Sequence, residues 1–341
     1  MTRSRETGDV GYRAYKKNLL RNGDFSVNQR NWSGSIPASG TRTLDGVVGY
    51  LNVAAGDGLS FIQLASTAGD VAITNQPYAM QVDFVTSDPV ASQTLFGQHI
   101  EDGVQITAGK DVSMSFTVFS GVEREISIEY LQYFGAGGST TVRGITKKIS
   151  LVVGWQDVEV TTFIPAVTGK TFGTDSFLQC LIWLSAGSND VINSAALGLQ
   201  PDGFVVMASW QVEIASSATE FEYVSPAENL AACQRYFERI NYAAASSIAF
   251  GQAYTTTTAS GQVYYTAKRI APTAGNITIS GSAAVLGPSG GNAGGTLTFA
   301  GSRSATSVSI EVTGANGTLV AGNAATFYAL AAVNIDVDAE L

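Results

Sequence analysis

Charged residues are scarce in this sequence. Asp, Glu, Lys and Arg make up 14% of its 341 residues, whereas soluble proteins average about 25%. Hydrophobic residues reach 45%, and glycine and small hydroxyl residues fill much of the remainder. This composition is typical of short strands joined by tight turns, and the length suits two domains of about 100–200 residues each.

Long apolar runs are also missing. No stretch approaches the ~20 consecutive apolar residues that a membrane helix requires, and the charged first residues lack the apolar segment of a secretion signal. The formal net charge of -9 argues against nucleic acid as the main partner, because phosphates require a basic face. We expect a soluble protein that neither inserts into membranes nor binds nucleic acid.

Basic residues are concentrated at the start of the chain, in residues 1–17. Such a segment is either a solvated tail or a segment that docks onto a partner subunit. We predict that it anchors the protein to a larger assembly through Arg3, Arg5, Arg13, Lys16 and Lys17.

Histidine and cysteine are nearly absent, which limits metal and catalytic chemistry. His99 is the only histidine, so a histidine-rich zinc site is excluded and a Ser-His-Asp arrangement has one possible base. Cys180 and Cys233 have no CxxC spacing and are predicted to be reduced core thiols. We expect no cofactor and no metal. Four acidic residues are candidate oxygen ligands for calcium, but we interpret them as solvated turn carboxylates: Asp24, Glu101, Asp102 and Glu213.

Residues 18–225 alternate between apolar and polar positions, with Gly and Asn turns between the runs. Val112, Met114, Phe116 and Val118 share one face of a half-buried antiparallel strand. Residues 177–184 are apolar on both faces, which suits a central strand of a sandwich. The pattern predicts an all-β domain.

A helix is predicted over 226–241. Ser225, Pro226 and Glu228 form a capping box with proline at the first helical position. Four apolar residues then follow at helical spacing and either pack on their own domain or form the seam of a short parallel bundle of chains. They are Leu230, Cys233, Phe237 and Ile240.

Residues 242–341 return to short alternating runs separated by glycine-rich turns. The last is the clearest, with Val333, Ile335 and Val337 on an apolar face. We predict a second, smaller β-sandwich domain here.

Several motifs in order give the sequence a resemblance to a known family. They include NLLRNGDF at 18–25, QHIED at 98–102, QYFG at 132–135, ATEFE at 218–222 and CQRYF at 233–237. Over residues 18–240 this set resembles virion structural proteins of tailed phages that carry a carbohydrate-binding-module-like jelly roll. The sequence departs from that pattern at Ile214–Ser217, where a glycine is usual.

The resemblance implies a jelly roll over 18–225 and a trimeric virion appendage, assembled in the host cytoplasm, that contacts host glycans or other virion proteins. Related chains serve as tail fibres, head fibres and minor structural proteins, so the role within the particle stays open. Fold similarity alone does not establish sugar binding.

Sugar-binding faces offer exposed aromatic rings, on which the apolar side of a pyranose stacks, beside amides and carboxylates. The candidates are Trp32, Tyr50, Tyr130, Tyr133 and Phe134. Tyr133 adjoins a glycine-rich loop, so we predict that loop 133–140 contributes to a binding edge. Trp155, Trp183 and Trp210 occupy strand-like runs and are expected in the core.

The sequence therefore favours a structural and adhesive role without catalysis. The first alternative is a capsid-decorating or head-fibre protein with a mainly structural function. The second is a capsule-degrading glycosidase; its two catalytic carboxylates could be hidden among 28 acidic residues, but no pair is marked out.

Overall fold

The computed structural model describes residues 16–69, 74–286, 292–313 and 319–340. The chain divides into two compact units, the first ending at Asn229 and the second comprising Leu230–Glu340. Antiparallel strands make up most of the regular secondary structure of both units, which confirms the all-β prediction.

The strands are β1 Ser33–Ser35, β2 Thr41–Arg42, β3 Val48–Leu51, β4 Gly58–Ala65, β5 Tyr78–Val85, β6 Gln93–Glu101, β7 Asp111–Ser120, β8 Arg124–Tyr133, β9 Val142–Leu151, β10 Gly154–Phe163, β11 Phe177–Ala186, β12 Gly203–Glu213, β13 Phe237–Tyr242, β14 Ser247–Ala253, β15 Thr258–Tyr264, β16 Ile277–Ser280, β17 Ala283–Leu286, β18 Asn292–Arg303, β19 Ser307–Thr313, β20 Ala324–Ala329 and β21 Val333–Asp338. The helices include α1 Gly103–Thr107 and α2 Pro226–Gln234, and the 3-10 turns include Val53–Ala55, Ser188–Asp190 and Ala274–Asn276.

The first unit is a sandwich of two six-stranded antiparallel sheets. The first sheet has the strand order β1-β4-β5-β12-β7-β10, and the second has the order β2-β3-β6-β11-β8-β9. Aromatic rings join the two sheets across the core: the centroids of Phe96 on β6 and Trp210 on β12 are 5.9 Å apart.

The predicted alternation is confirmed on β7, where Val112, Met114, Phe116 and Val118 belong to the sandwich core. The apolar run 177–184 is the central strand β11, as expected. Leu178, Cys180, Ile182 and Leu184 face the core, whereas Leu181 and Trp183 belong to a smaller cluster on the opposite face. Both faces of β11 are covered because each carries its own apolar layer.

The segment before β1 is held against the last strand of the sandwich. The backbone N–H of Leu19 donates to the carbonyl of Val212 at 2.7 Å. Lys17 Nζ donates to the Thr219 hydroxyl at 2.6 Å, so this predicted anchoring residue binds its own chain. Lys16 is exposed, while Arg3, Arg5 and Arg13 lie outside the described residues.

Helix α2 starts as predicted but ends early. Ser225 N–H donates to Glu228 Oε2 at 3.2 Å and Glu228 N–H donates to Ser225 Oγ at 3.4 Å, which confirms the capping box. The helix ends at Gln234, and Phe237–Tyr242 forms strand β13, in which Ile240 lies opposite Ile335 of β21.

The prediction of a helical seam is therefore wrong. Phe237 and Ile240 lie on a strand, Cys233 is buried, and Leu230 is 38% exposed. Aromatic and β-branched residues dominate after Gln234, and pairing with β21 overrides their helical spacing.

The second unit contains a three-stranded sheet, β13-β21-β16, and a closed six-stranded barrel, β14-β15-β19-β18-β17-β20. A β-sandwich was predicted for this part of the chain. The barrel closes because β14 pairs with both β15 and β20, which leaves no open edge strand in it. The unit begins before residue 242 because β13 belongs to its sheet.

In the part of the chain that the structure describes, no helix combines the length and apolar character needed to span a bilayer. The same residues contain no group of three or more His, Cys, Asp and Glu side chains placed to bind a metal ion.

Candidate functional site

Two of the predicted glycan-binding residues are buried, which corrects those predictions. Tyr130 and Phe134 both have 0% exposure. Tyr130 lies three positions before Tyr133 on β8, so strand alternation directs the two rings to opposite faces of the sheet. The ring of Phe134 packs against Phe172, with centroids 5.7 Å apart. Neither ring can stack on a ligand.

Trp32 lies on a different part of the sandwich from Tyr133. It precedes β1, the edge strand of the first sheet, and its half-buried ring packs against the core. Its indole N–H donates to the carbonyl of Gly34 at 3.1 Å. The structure does not bring Trp32 together with the other candidates.

Tyr133 belongs to a row of three rings on the outer face of the second sheet. Phe177 lies directly opposite Tyr133 on neighbouring strands, and their centroids are 4.7 Å apart. On its other side Phe177 stacks on His99, at 4.1 Å and an interplanar angle of 12°. We call Tyr133, Phe177 and His99 the ring row. Tyr133 and Phe177 are half-buried, and His99 is buried.

A hydrogen-bond network continues the ring row toward Tyr50. The Gln179 amide nitrogen contacts His99 Nε2 at 2.9 Å and donates to the Tyr50 hydroxyl at 2.5 Å. The Tyr50 hydroxyl is 3.2 Å from the same imidazole nitrogen. Because an amide nitrogen only donates, His99 Nε2 is the acceptor in its contact with Gln179. This network fixes the orientation of His99 beneath Phe177.

Burial and nearby cations act on Tyr50 in opposite directions. Burial raises the pKa of its phenol, and Arg42 and Arg143 reduce that rise. Arg143 is itself held by Glu129, whose oxygens accept from Arg143 Nε and Nη2, both at 3.0 Å. Tyr50 therefore stays a neutral hydroxyl at physiological pH, able to donate and accept hydrogen bonds.

The buried carboxylate of Glu129 organises the centre of this face. Besides Arg143, it accepts the indole N–H of Trp183 at 3.0 Å. Its side chain is 0% exposed, whereas that of Arg143 is 40% exposed. The guanidinium therefore reaches solvent and acts on Tyr50, while the buried carboxylate balances its charge.

The loop that follows Tyr133 is fixed by close backbone contacts. Gly173 N–H donates to the Phe134 carbonyl at 2.7 Å, and Ala136 and Thr174 form an isolated bridge. Gly135 has a φ of +86°, and a Cβ at this position would lie 2.3 Å from the carbonyl oxygen of Thr174. Glycine is required here both by conformation and by space.

We predict that Gly135→Ala destabilises the first unit by about 2 kcal/mol or more, through strain and the backbone clash. Gly137→Ala is the matched control, since Gly137 has a φ of +79° but nothing within 4 Å of its added Cβ. Urea unfolding followed by tryptophan fluorescence measures both. Equal losses for the two variants would show that the loop contact contributes nothing.

The sequence did not single out Phe177 or Gln179, and it did not place His99 among the glycan-binding candidates. Phe177 opens an apolar run that reads as core, and its place beside Tyr133 depends on a strand register set between distant segments. Period-two alternation within the run offered a signal, because it separates Phe177, Gln179 and Leu181 from the core-facing Leu178 and Cys180.

The outer face of the first sheet carries a separate groove of about 650 Å³. Asp157, Glu159 and Glu220 line it together with the hydroxyls of Ser115 and Thr117. Beyond it, Trp155 is half-buried with its centroid 5.6 Å from that of Phe119. Trp210 is buried in the sandwich core as expected. Trp183 is buried in the smaller cluster on the outer side of β11, and Trp155 lies on the outer face of the first sheet, so neither is in the sandwich core.

No family model and no curated protein matches the sequence. Among solved structures, a putative sugar binding protein from Bacteroides thetaiotaomicron matches with 12% identity and a TM-score of 0.36, over 58% of this chain and 100% of that one. A family 11 carbohydrate-binding module from Clostridium thermocellum, in complex with a mixed-linked tetrasaccharide, matches with 12% identity and a TM-score of 0.32, over 56% and 98%.

The tailspike protein 4 of bacteriophage CBA120 matches with 10% identity and a TM-score of 0.32, over 58% of this chain and 22% of that chain. Similarities at this level assign no ligand and no role to this chain. The chemistry of the site therefore rests on its own residues.

Proposed function

We propose that this chain binds glycans through the ring row. The observation that carries the proposal is the contact of Phe177 with both Tyr133 and His99, with ring centroids 4.7 Å and 4.1 Å apart, on the outer face of the second sheet. Half-buried rings offer an apolar surface on which a pyranose stacks. Tyr50 and Arg143 supply hydroxyl and guanidinium groups for sugar hydroxyls, and the buried Gln179 holds the Tyr50 hydroxyl in place.

We further propose that the protein is a structural component of a phage particle, and that it acts as a tail fibre or receptor-binding appendage during host attachment. The ordered motifs of residues 18–240 support this placement. Several copies per particle raise the effective affinity of individually weak sugar contacts. Such avidity suits a shallow face better than it suits a deep pocket.

The test is glycan-array binding by the full chain and by Phe177→Ala and Tyr133→Ala. Each variant is expected to bind its glycan about tenfold more weakly, which corresponds to ~1.4 kcal/mol of lost stacking. Phe163→Ala is the matched control, because Phe163 is 58% exposed and lies on β10 of the first sheet. Thermal melting establishes that all variants are folded.

Unchanged binding by folded Phe177→Ala and Tyr133→Ala would refute the glycan site. An equal loss in Phe163→Ala would show that the effect is not specific to the ring row. Immunogold labelling of particles separates tail attachment from the alternative of a head fibre or a capsid-decorating protein.

The glycosidase alternative can be tested at the groove on the outer face of the first sheet. Asp157, Glu159 and Glu220 are carboxylates around one groove, and glycosidases require a pair of carboxyl groups across the scissile bond. We expect bound oligosaccharides to remain intact, with no release of reducing ends during incubation. Sugar release that is lost in Asp157→Asn or Glu159→Gln would establish catalysis instead.

A further inference from the structure

Two large rings project from the barrel of the second unit. Phe250 on β14 is 74% exposed and Tyr264 on β15 is 73% exposed. These strands are neighbours in the barrel, and the adjacent residues Ala249 and Val263 belong to its core. Exposed aromatic residues on a small barrel cost free energy in water, and such patches mark interaction surfaces.

A hollow of about 480 Å³ lies beside the two rings. Its walls include Tyr242, Ile248 and Gln262 in addition to Phe250 and Tyr264. We call the two rings and this hollow the barrel patch. It contains both a projecting ring and a space next to it, which are the two features that a self-complementary interface between copies requires.

The charge around the barrel patch also favours a second copy. None of the residues that line the hollow carries a charge, although the whole chain has a formal charge of -9. Copies with the same net charge repel one another, and they can approach most closely where the surface is neutral. The centres of protein interfaces are likewise rich in aromatic residues and depleted of charge.

We propose that copies of this chain associate through the barrel patch, with the Phe250 or Tyr264 ring of one copy in the hollow of its neighbour. This interface joins the copies of the chain that the multivalent attachment proposed above requires. The inference rests on the proposed function only for the biological purpose of the association. It also gives a different location for self-association from the helix seam, whose residues Phe237 and Ile240 lie on strand β13.

Sedimentation velocity and mass photometry of the full chain, over a range of concentrations, test the proposal. The unmodified chain is expected to form an oligomer, and Phe250→Ser and Tyr264→Ser are each expected to weaken association at least tenfold. Ile192→Ser is the control, since Ile192 is 77% exposed in the first unit and should leave the mass unchanged. Circular dichroism and thermal melting confirm folding, and Tyr264→Gln serves as a milder second variant.

A monomer at every concentration would overturn the inference, while glycan binding at the ring row could still stand. An oligomer whose mass is unchanged in the folded variants would also overturn it. Loss of glycan binding with unchanged mass would identify the barrel patch as a sugar site instead. Conversely, loss of the oligomer with intact binding of a monovalent sugar supports the inference and leaves the ring row unaffected.

Discussion

Replacing Arg143 with alanine is expected to lower the free energy of unfolding of the first unit by about 3 kcal/mol, because it leaves a buried carboxylate without its cation. The Glu129 side chain is 0% exposed and Arg143 Nη2 is 3.0 Å from its Oε2. After the substitution, Trp183 and Gly144 are the remaining donors to that carboxylate, and neither carries a charge. The buried charge is then under-compensated.

All four tryptophans lie in the first unit, so urea unfolding followed by tryptophan fluorescence reports on this unit. Lys148→Ala is the matched control in the same hairpin, since its pair with Glu125 is 37% exposed on both sides and should contribute about 1 kcal/mol or less. The double variant Glu129→Gln, Arg143→Ala should recover part of the loss. Equal effects of Arg143→Ala and Lys148→Ala would contradict the special role of the buried carboxylate.

Replacing Glu238 with glutamine is expected to destabilise the second unit by about 3 kcal/mol, because a buried ammonium loses its counter-charge. The Lys268 side chain is 0% exposed, and its Nζ lies 2.6 Å from Glu238 Oε2. The Gln234 carbonyl, also at 2.6 Å, and the Tyr265 ring, with its centroid at 5.3 Å, remain as neutral neighbours.

Amide hydrogen exchange in the second unit, measured by mass spectrometry, reports this loss of stability. The double variant Glu238→Gln, Lys268→Met should recover most of the lost protection, because it removes both charges from the interior. Asp336→Asn is the control, since the Arg239–Asp336 pair is 24% and 22% exposed and its loss should cost less than that of the fully buried ammonium's partner. Failure of the double variant to recover would show that packing, not charge, dominates at this position.

The same lysine predicts a pH dependence with a definite sign. Burial lowers the pKa of Lys268 below its usual 10.5, although Glu238 opposes the shift. The unfolded chain therefore binds this proton more tightly, so the contribution of Lys268 to the free energy of unfolding rises with pH between the lowered pKa and 10.5. The measurement is the free energy of unfolding of the unmodified chain minus that of Lys268→Met, taken at each pH below the ~pH 10 at which tyrosines ionise. This difference should rise with pH. A flat difference would contradict it.

Local sequence patterns predicted the strands well, because apolar and polar residues alternate along a strand when one of its faces covers the core. Val112, Met114, Phe116 and Val118 share one face of β7 because that face covers the core. The capping box at Ser225 was equally readable, since both partners lie within one turn. The helix end was not, because Phe237 and Ile240 pair with β21, a strand nearly one hundred residues later.

The candidate site shows the same limit. Tyr133 was predicted and lies in the ring row, yet Tyr130 was chosen with it although alternation places the two on opposite faces. Phe177 and Gln179 escaped notice because their positions depend on the pairing of β11 with β8 and β6. Composition did not reveal this pairing, since it arises only when distant strands meet in the folded sheet.

The two cysteines provide a probe for each unit. Cys180 lies in the sandwich and Cys233 in the second unit, and both are buried. Burial raises the pKa of the Cys180 thiol to about 12, so it is inert toward alkylating reagents while the sandwich is closed. The rate at which each thiol is alkylated therefore measures how often its own unit opens, without any engineered label.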